Sequence, residues 1–267
     1  MADEQSIKLT VAYDGSRYHG WQRQKNGLTI QEVLEDRIQV MAGEPIRVLG
    51  SGRTDAGVHA LGQVCHFKTR CALRPEDFER GLNSLLPRDI HVLRAETAPP
   101  GFHARYSALR KVYEYRILNR PDPDVFLRRY IWHIARPLDT EAVTRCLDRV
   151  QGEHDFTSFR SSGSRNRNPV RRMFSARLSG PDGGLIRITL EADGFLRHMV
   201  RNLVGTLVDV GMGKTSVEAF LRILEAGDRQ QAGVKAPAQG LFLVRVCYDR
   251  DAAPLPKPCP GPGTDPA

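Results

Sequence analysis

Long hydrophobic runs are missing from this 267-residue chain, whose longest uninterrupted apolar stretches are a handful of residues, against the roughly 18 needed to cross a bilayer. No membrane span is expected. A secretory signal is missing too: Met1-Ala2-Asp3-Glu4-Gln5 is acidic and polar where such a signal is basic and then apolar. A cytoplasmic protein is therefore expected. Cysteine is sparse, and Cys65, Cys71, Cys146, Cys247 and Cys259 are odd in number, scattered, and without a Cys-x-x-Cys pair. That excludes a disulfide framework and a zinc ribbon. His59, Cys65, His66 and Cys71 offer soft ligand types without the compact spacing of structural zinc. Strand alternation already turns Cys65 inward, and no metal is expected.

Acidic residues are the scarcer charge, 31 against 39 Lys and Arg, which leaves a formal +8. An anionic partner fits such a surface, and a phosphate backbone binds it by counterion release. Charge alone does not identify nucleic acid; clustering of the arginines decides. With 40% apolar residues the chain can bury a real core.

Residues 7–13 alternate as a strand, Ile7, Leu9, Val11 and Tyr13 on one face. Thr29 and Glu32 form a capping box before Ile30, Val33, Leu34, Ile38 and Met41, a helical stripe that Gly43 can end. Residues 46–49 and 63–68 read as strands, 75–86 as a helix started by Pro75, and 90–95 as a strand. This is a β-α-β-β-α-β order. The second half repeats it with additions: strands at 111–118 and 130–135, a helix capped by Asp139 and closed by Gly152, and a hairpin of 172–178 with 185–191 around Pro181-Asp182-Gly183-Gly184. Helices at 195–210 and 217–225 and a last strand at 241–248 complete it. The expected fold is α+β: two ferredoxin-like or RRM-like subdomains, residues 1–104 and 105–250, side by side with a cleft between them. Residues 251–267 form a Pro-rich tail without periodicity, expected to be disordered.

The loop Gly50-Ser51-Gly52-Arg53-Thr54-Asp55-Ala56-Gly57 lies between two expected strands and holds three glycines. It can adopt backbone angles closed to other residues and let a substrate approach. On composition alone it reads equally as a tight turn with a solvated aspartate. It is not Gly-x-Gly-x-x-Gly and does not open a helix. Gly211-Met212-Gly213-Lys214-Thr215 resembles a phosphate loop only superficially: Val208 stands where the first glycine must be, and a helix precedes it. A helix C-cap followed by Thr215 or Ser216 capping the next helix accounts for it. Between Arg160 and Arg172, Arg160, Arg165, Arg167, Arg171 and Arg172 occur without an acidic residue. Beside a reactive cleft, that favours RNA-backbone binding over a merely solvated loop. Arg23, Gln24 and Lys25 form a second contact loop. His59, His66, His103, His154 and His198 show no pairing with a nucleophile and read as structural or peripheral.

Six blocks, in order, carry a resemblance: VAYDGSRYHGWQRQ (11–24), GSGRTDAGVHALGQVCHF (50–67), KVYEYRILN (111–119), GEHDFTSFR (152–160), GFLRHMVRNLVG (194–205) and QGLFLVRV (239–246). Together they resemble the tRNA pseudouridine synthase A family, which modifies the anticodon arm. The resemblance implies conversion of uridine to pseudouridine at positions 38, 39 and 40 of tRNA. It also implies two pseudo-symmetric α+β subdomains with a joined, mostly antiparallel central sheet, a homodimer, and no metal or organic cofactor. By the same resemblance Asp55 matches the catalytic aspartate, Tyr113 the active-site tyrosine, Arg201 the basic partner of the aspartate, and Arg53 the arginine that helps extrude the base.

The chemistry suits these residue types. Isomerisation breaks the N1–C1′ bond, turns the uracil and joins C5 to C1′, so nothing is oxidised or consumed. A carboxylate can attack the sugar carbon or take its neighbouring proton, and a cation opposite favours the charged form both routes need. A stacked uridine must first be flipped, at a cost of a few kcal/mol. The Tyr113 ring can hold the base for roughly 1–3 kcal/mol, and its hydroxyl can relay a proton. Alternation places Tyr113 and Tyr115 on one face and does not choose between a core role and an active one. Two other readings compete. An RRM-like binding module lacks the aromatic RNP1 pattern, and a metal-assisted nuclease lacks a second carboxylate in the loop.

Overall fold

The period-two patterning resolves into one sheet of ten strands in the computed structural model, which describes residues 4–163 and 168–249. The strands are β1 (Gln5–Tyr13), β2 (Leu49–Gly50), β3 (His59–Thr69), β4 (Ile90–Thr97), β5 (Arg110–Asn119), β6 (Trp132–Ile134), β7 (Gly152–Asp155), β8 (Val170–Asp182), β9 (Leu185–Ala192) and β10 (Leu241–Cys247). The helices are α1 (Ile30–Ala42), α2 (Pro75–Leu85), α3 (Thr140–Arg149), α4 (Met199–Gly211) and α5 (Val217–Ala226). The sheet runs β4-β1-β3-β10-β5-β9-β8-β7, with β2 added to β3 and β6 to β5. All pairings are antiparallel except β10 with β3 and β5 with β6. The order β4-β1-β3-β2 of the first half reappears in the second as β10-β5-β9-β8, which is the internal repeat that the patterning suggested. The Pro-rich segment 251–267 lies outside the described residues.

Local signals start and stop the helices where expected. Thr29 Oγ1 accepts the Glu32 N–H at 3.4 Å, Asp139 accepts the Ala142 N–H at 2.9 Å, and Ser216 accepts the Ala219 N–H at 3.1 Å. Gly43 and Gly227 end α1 and α5 in the left-handed region. The row Leu9, Cys65 and Ala95 runs across three paired strands of the first half, and Tyr113, Leu190, Leu243 and Ala176 across the second. Every member is buried, so the two halves share one apolar layer.

The sheet departs from the sequence reading where tertiary partners capture backbone groups. The strand expected at 46–49 shrinks to Leu49–Gly50 because Val48 bonds to α1 instead of a ladder: its N–H donates to Glu35 and its carbonyl accepts from Gln31. The helix expected from Phe195 starts only at Met199, since His198 holds φ 61° and breaks the helical backbone. The strand expected at 130–135 is reduced to Trp132–Ile134 after a 3-10 turn at Leu127–Arg129. Gly152 does not close α3, which ends at Arg149; it opens β7, which pairs with β8.

The decisive placement is β10. The last strand of the chain inserts between the halves, parallel to β3 through Phe242↔His59 and Leu243↔Ala60, and antiparallel to β5 through Leu243↔Tyr113. Leu243 is 1% exposed at this junction. Leu243→Ala should cost about 2–5 kcal/mol of stability, read as a lowered urea midpoint in a single transition; separate transitions for the two halves would contradict a shared core.

Candidate active site

The Asp55 loop follows β2, and several of its backbone groups are tied to neighbouring elements. Ser51 N–H donates to the Val64 carbonyl at 2.7 Å, and Ser51 Oγ to Gln63 Oε1 at 2.6 Å. Gln63 Nε2 donates to the Gly52 carbonyl at 3.2 Å. Tyr13 and Thr54 share a hydroxyl bond of 2.8 Å, Trp21 N–H donates to the Thr54 carbonyl, and Val58 N–H to that of Asp55. The expected glycine flexibility is narrower than composition suggested, because within the loop only Gly57 lies at positive φ. The glycine that the site needs most is outside it: Gly20, at φ 88°, presses its backbone on the loop so closely that a Cβ would sit 2.5 Å from the Thr54 carbonyl oxygen.

Arg201, 9% exposed on the first turn of α4, reaches Asp55 from the other half of the chain: its Nη1 donates to Asp55 Oδ2 at 2.9 Å. Its Nε donates to the Ala236 carbonyl at 2.8 Å, and Ala236 N–H returns to the Arg201 carbonyl. Segment 234–236 runs so close to α4 that a Cβ on Gly205 would meet the Val234 carbonyl oxygen at 1.7 Å. The guanidinium is thus fixed before any substrate arrives. Asp55 is only half-buried, its side chain 31% exposed. The walls of the cavity at Tyr13, Asp14, His59, Tyr130 and Phe242, and of the small apolar one at Leu138, Val143 and Leu207, do not include it. Asp55 thus keeps part of its carboxylate open to an incoming group while Arg201 holds the rest.

Tyr113 lies on β5, buried, with its ring edge-on to Phe195 at 5.0 Å between centroids. Burial raises its pKa well above the usual phenol range, and the charges of Tyr13 and Asp55 add to this. It is a neutral phenol, a donor and a flat ring rather than a base.

The basic candidates divide. Arg53 is exposed beside Asp55, its Nε donating to Gln22 at 3.1 Å. Arg23 pairs with Glu35 at 2.9 Å and lies 3.8 Å from Glu32, so its charge is largely answered; Gln24 bonds to the His19 carbonyl. Arg171 donates to the Asn168 and Val170 carbonyls, and burial lowers its pKa, with Arg160 adding and Asp193 opposing. Asp193 is thus an acidic neighbour that the linear stretch hides. Arg165 and Arg167 lie outside the described residues.

His198 was the residue misplaced by the sequence reading. Far from peripheral, its Nε2 lies 3.5 Å from Asp55 Oδ1 and its Nδ1 2.8 Å from Ser161 Oγ. Its positive φ was not legible in sequence, and only the pairing of residues 55 and 198 across the sheet reveals it. Arg105, Lys111, Arg197 and Lys235 were also missed. They are scattered in sequence, yet Arg105 acts on Lys111, which holds the loop at Ser51, and Lys235 and Arg197 act on His198 beside Asp55. Among the described residues no three His, Cys, Asp or Glu side chains gather as a metal site; His59 Nδ1 instead accepts the Gly15 N–H and His66 Nδ1 that of Ala104.

The profile of a family described as tRNA pseudouridine synthase matches residues 9–107 and 147–249. Relatives described as tRNA pseudouridine synthase A are similar over most of their length. The protein of Moorella thermoacetica (strain ATCC 39073 / JCM 9320) is 48% identical over 244 residues, 91% of this chain and 99% of its own. That of Geobacillus sp. (strain WCH70) is 45% identical over 244 residues, 91% and 98% respectively. That of Thermoanaerobacter sp. (strain X514) is 44% identical over 243 residues, 91% and 99%.

Lys111 reports on the integrity of the loop, because its Nζ donates to the Ser51 carbonyl at 2.6 Å. Burial lowers its pKa from 10.5 to about 8, and the positive charges of Arg105 and Arg171 push the same way. Between those two values the unfolded chain holds a proton that the folded chain has released. Stability gained from this group therefore rises as pH climbs from about 8 to 10.5, and the cost of burying the charge is felt in full below 8. Denaturant midpoints measured across that window should show a rise in the wild type that Lys111→Met lacks; identical slopes would mean that the amine is solvated.

Proposed function

We propose, from the premise that this chain belongs to the tRNA pseudouridine synthase family, that it isomerises uridine to pseudouridine in tRNA with the Asp55 carboxylate as the reacting group. The observation that carries this reading is the ion pair of 2.9 Å between Asp55 and the prefixed guanidinium of Arg201. A carboxylate paired through one oxygen and still 31% exposed can meet C1′ of a flipped uridine, or the proton beside it. Tyr113 presents the ring against which the extruded uracil stacks, and Arg53, exposed two positions from Asp55, helps hold the base out of its helix. Atoms balance within the substrate: N1–C1′ breaks, C5–C1′ forms, and the C5 proton leaves to solvent while N1 gains one.

Phosphate contacts fall to Arg160 and Arg171, with Arg165 and Arg167 between them in sequence; Arg23 and Gln24 serve as a secondary contact because the charge of Arg23 is already paired. Family membership supports the finer reading: the anticodon arm as the region modified, positions 38, 39 and 40 as the targets, a cytoplasmic homodimer as the working form, and no cofactor. Residues 1–104 and 105–250 are the two subdomains that grip the arm.

Unmodified tRNA tritiated at uracil C5 should release tritium to water with the wild-type protein, and do so equally in excess chelator. Asp55→Ala should release none. Arg201→Met should turn over about a hundredfold or more slowly while binding tRNA much as before. Full turnover by Asp55→Ala would remove the carboxylate mechanism, full turnover by Arg201→Met would remove the role of the ion pair, and loss of activity in chelator would replace the isomerase with a metal enzyme. Replacing Arg165 and Arg167 together by Gln should lower the slope of log affinity against log salt by about two; an unaltered slope would take both side chains away from the RNA.

A further inference from the structure

Asp55 has two carboxylate oxygens, and Arg201 occupies only one of them. The other, Oδ1, faces His198 Nε2 at 3.5 Å. His198 stands immediately before α4, at φ 61°, and is the only non-glycine residue at positive φ among the described residues. A histidine in that region is strained, and such strain persists where the surroundings over-determine it.

The surroundings here form a chain of hydrogen bonds whose directions can be worked out. Asn202, fully buried, must turn its Nδ2 to the Phe159 carbonyl, 2.8 Å away, because a carbonyl only accepts. Its Oδ1 then accepts from Arg229 Nη2 at 3.0 Å, which only donates. With both ends set, Nδ2 also points at Ser161 Oγ at 3.4 Å, as a donor. The Ser161 hydroxyl, with a second lone pair and its own proton, also meets His198 Nδ1 at 2.8 Å and so anchors the ring whose other nitrogen is turned to Asp55. Burial lowers the pKa of His198; Asp55 opposes this, while Lys235, Arg197 and Arg201 reinforce it, so the neutral ring prevails at neutral pH.

We propose that His198 is a positioning residue for the isomerisation: its ring, held at Nδ1 by Ser161, stands 3.5 Å from Asp55 Oδ1 and limits how the carboxylate can turn while Arg201 holds Oδ2. The guanidinium on one oxygen and the ring beside the other leave the carboxylate plane fewer orientations than the guanidinium alone. The reacting oxygen then meets the sugar over a narrower range of orientations. This rests on the proposed role of Asp55.

His198→Gly separates function from folding, because glycine relieves the positive φ and is accepted ahead of a helix. Its melting temperature should equal or exceed that of the wild type, with kcat for tritium release lowered tenfold or more and KM for tRNA unchanged. His198→Gln, whose amide nitrogen reaches near the position of Nε2, should recover most of the loss. A wild-type kcat in His198→Gly, or a His198→Gln no faster than His198→Gly, overturns the proposal. The wild-type assay separates the two readings: without tritium release from the wild type the isomerase itself fails, whereas an active wild type matched by His198→Gly sinks the positioning role alone.

Discussion

A carboxylate near a protein surface stays useful only if something holds it in place, and in this chain the ion pair that does so comes from a residue 146 positions away. The Asp55–Arg201 pair can form because β10 brings the two halves into one sheet, with β3 on one side and β5 on the other. Without that insertion the loop after β2 and the start of α4 would belong to separate layers. Gly205 allows segment 234–236 to lie directly on α4, and the carbonyl of Ala236 takes the Nε of Arg201 so that its Nη1 is aimed. Such a prefixed ion costs nothing to reorganise when charge moves during a reaction.

The aspartate side of the pair is equally constrained, by different means. Its loop carries no regular structure, yet it is bonded to β3 through Ser51 and Gln63, to β5 through Lys111, and to the strand-one turn through Tyr13 and Trp21. Trp21 is nearly fully buried, and Gly50 gives it room: a Cβ there would fall 2.5 Å from the indole nitrogen. These bonds and the close approach of Gly20 tie the loop to its neighbours. Function sits on a loop while precision comes from the scaffold.

Positive charge gathers beside this carboxylate: Arg201 pairs with it, and the charges of Lys235 and Arg197 are felt at its neighbour His198. A strongly charged polymer is drawn to such a field at long range and oriented by contacts at short range. Tyr113, a buried neutral phenol on β5 packed edge-on against Phe195, adds an aromatic ring that feels the charge of Asp55.

The alternation of Ile7, Leu9, Val11 and Tyr13, the caps at Thr29, Asp139 and Ser216, and the repeated β-α-β-β-α-β order were legible from the sequence, since local periodicity and capping act within a few residues. The family blocks singled out Asp55, Tyr113 and Arg201 for the same reason: each sits inside a contiguous motif. What only the tertiary structure decided depends on partners distant in sequence. Val48 leaves its strand because Glu35 and Gln31 offer better hydrogen bonds than the ladder, Arg23 is discharged by α1, and Asp193 comes to lie beside Arg171. His198 looked incidental in sequence because its meaning resides in a backbone angle and in the far ends of Ser161 and Asp55. A one-dimensional pattern records which groups exist, but long-range hydrogen bonds and charge pairs form only when the sheet closes and places them within reach of one another.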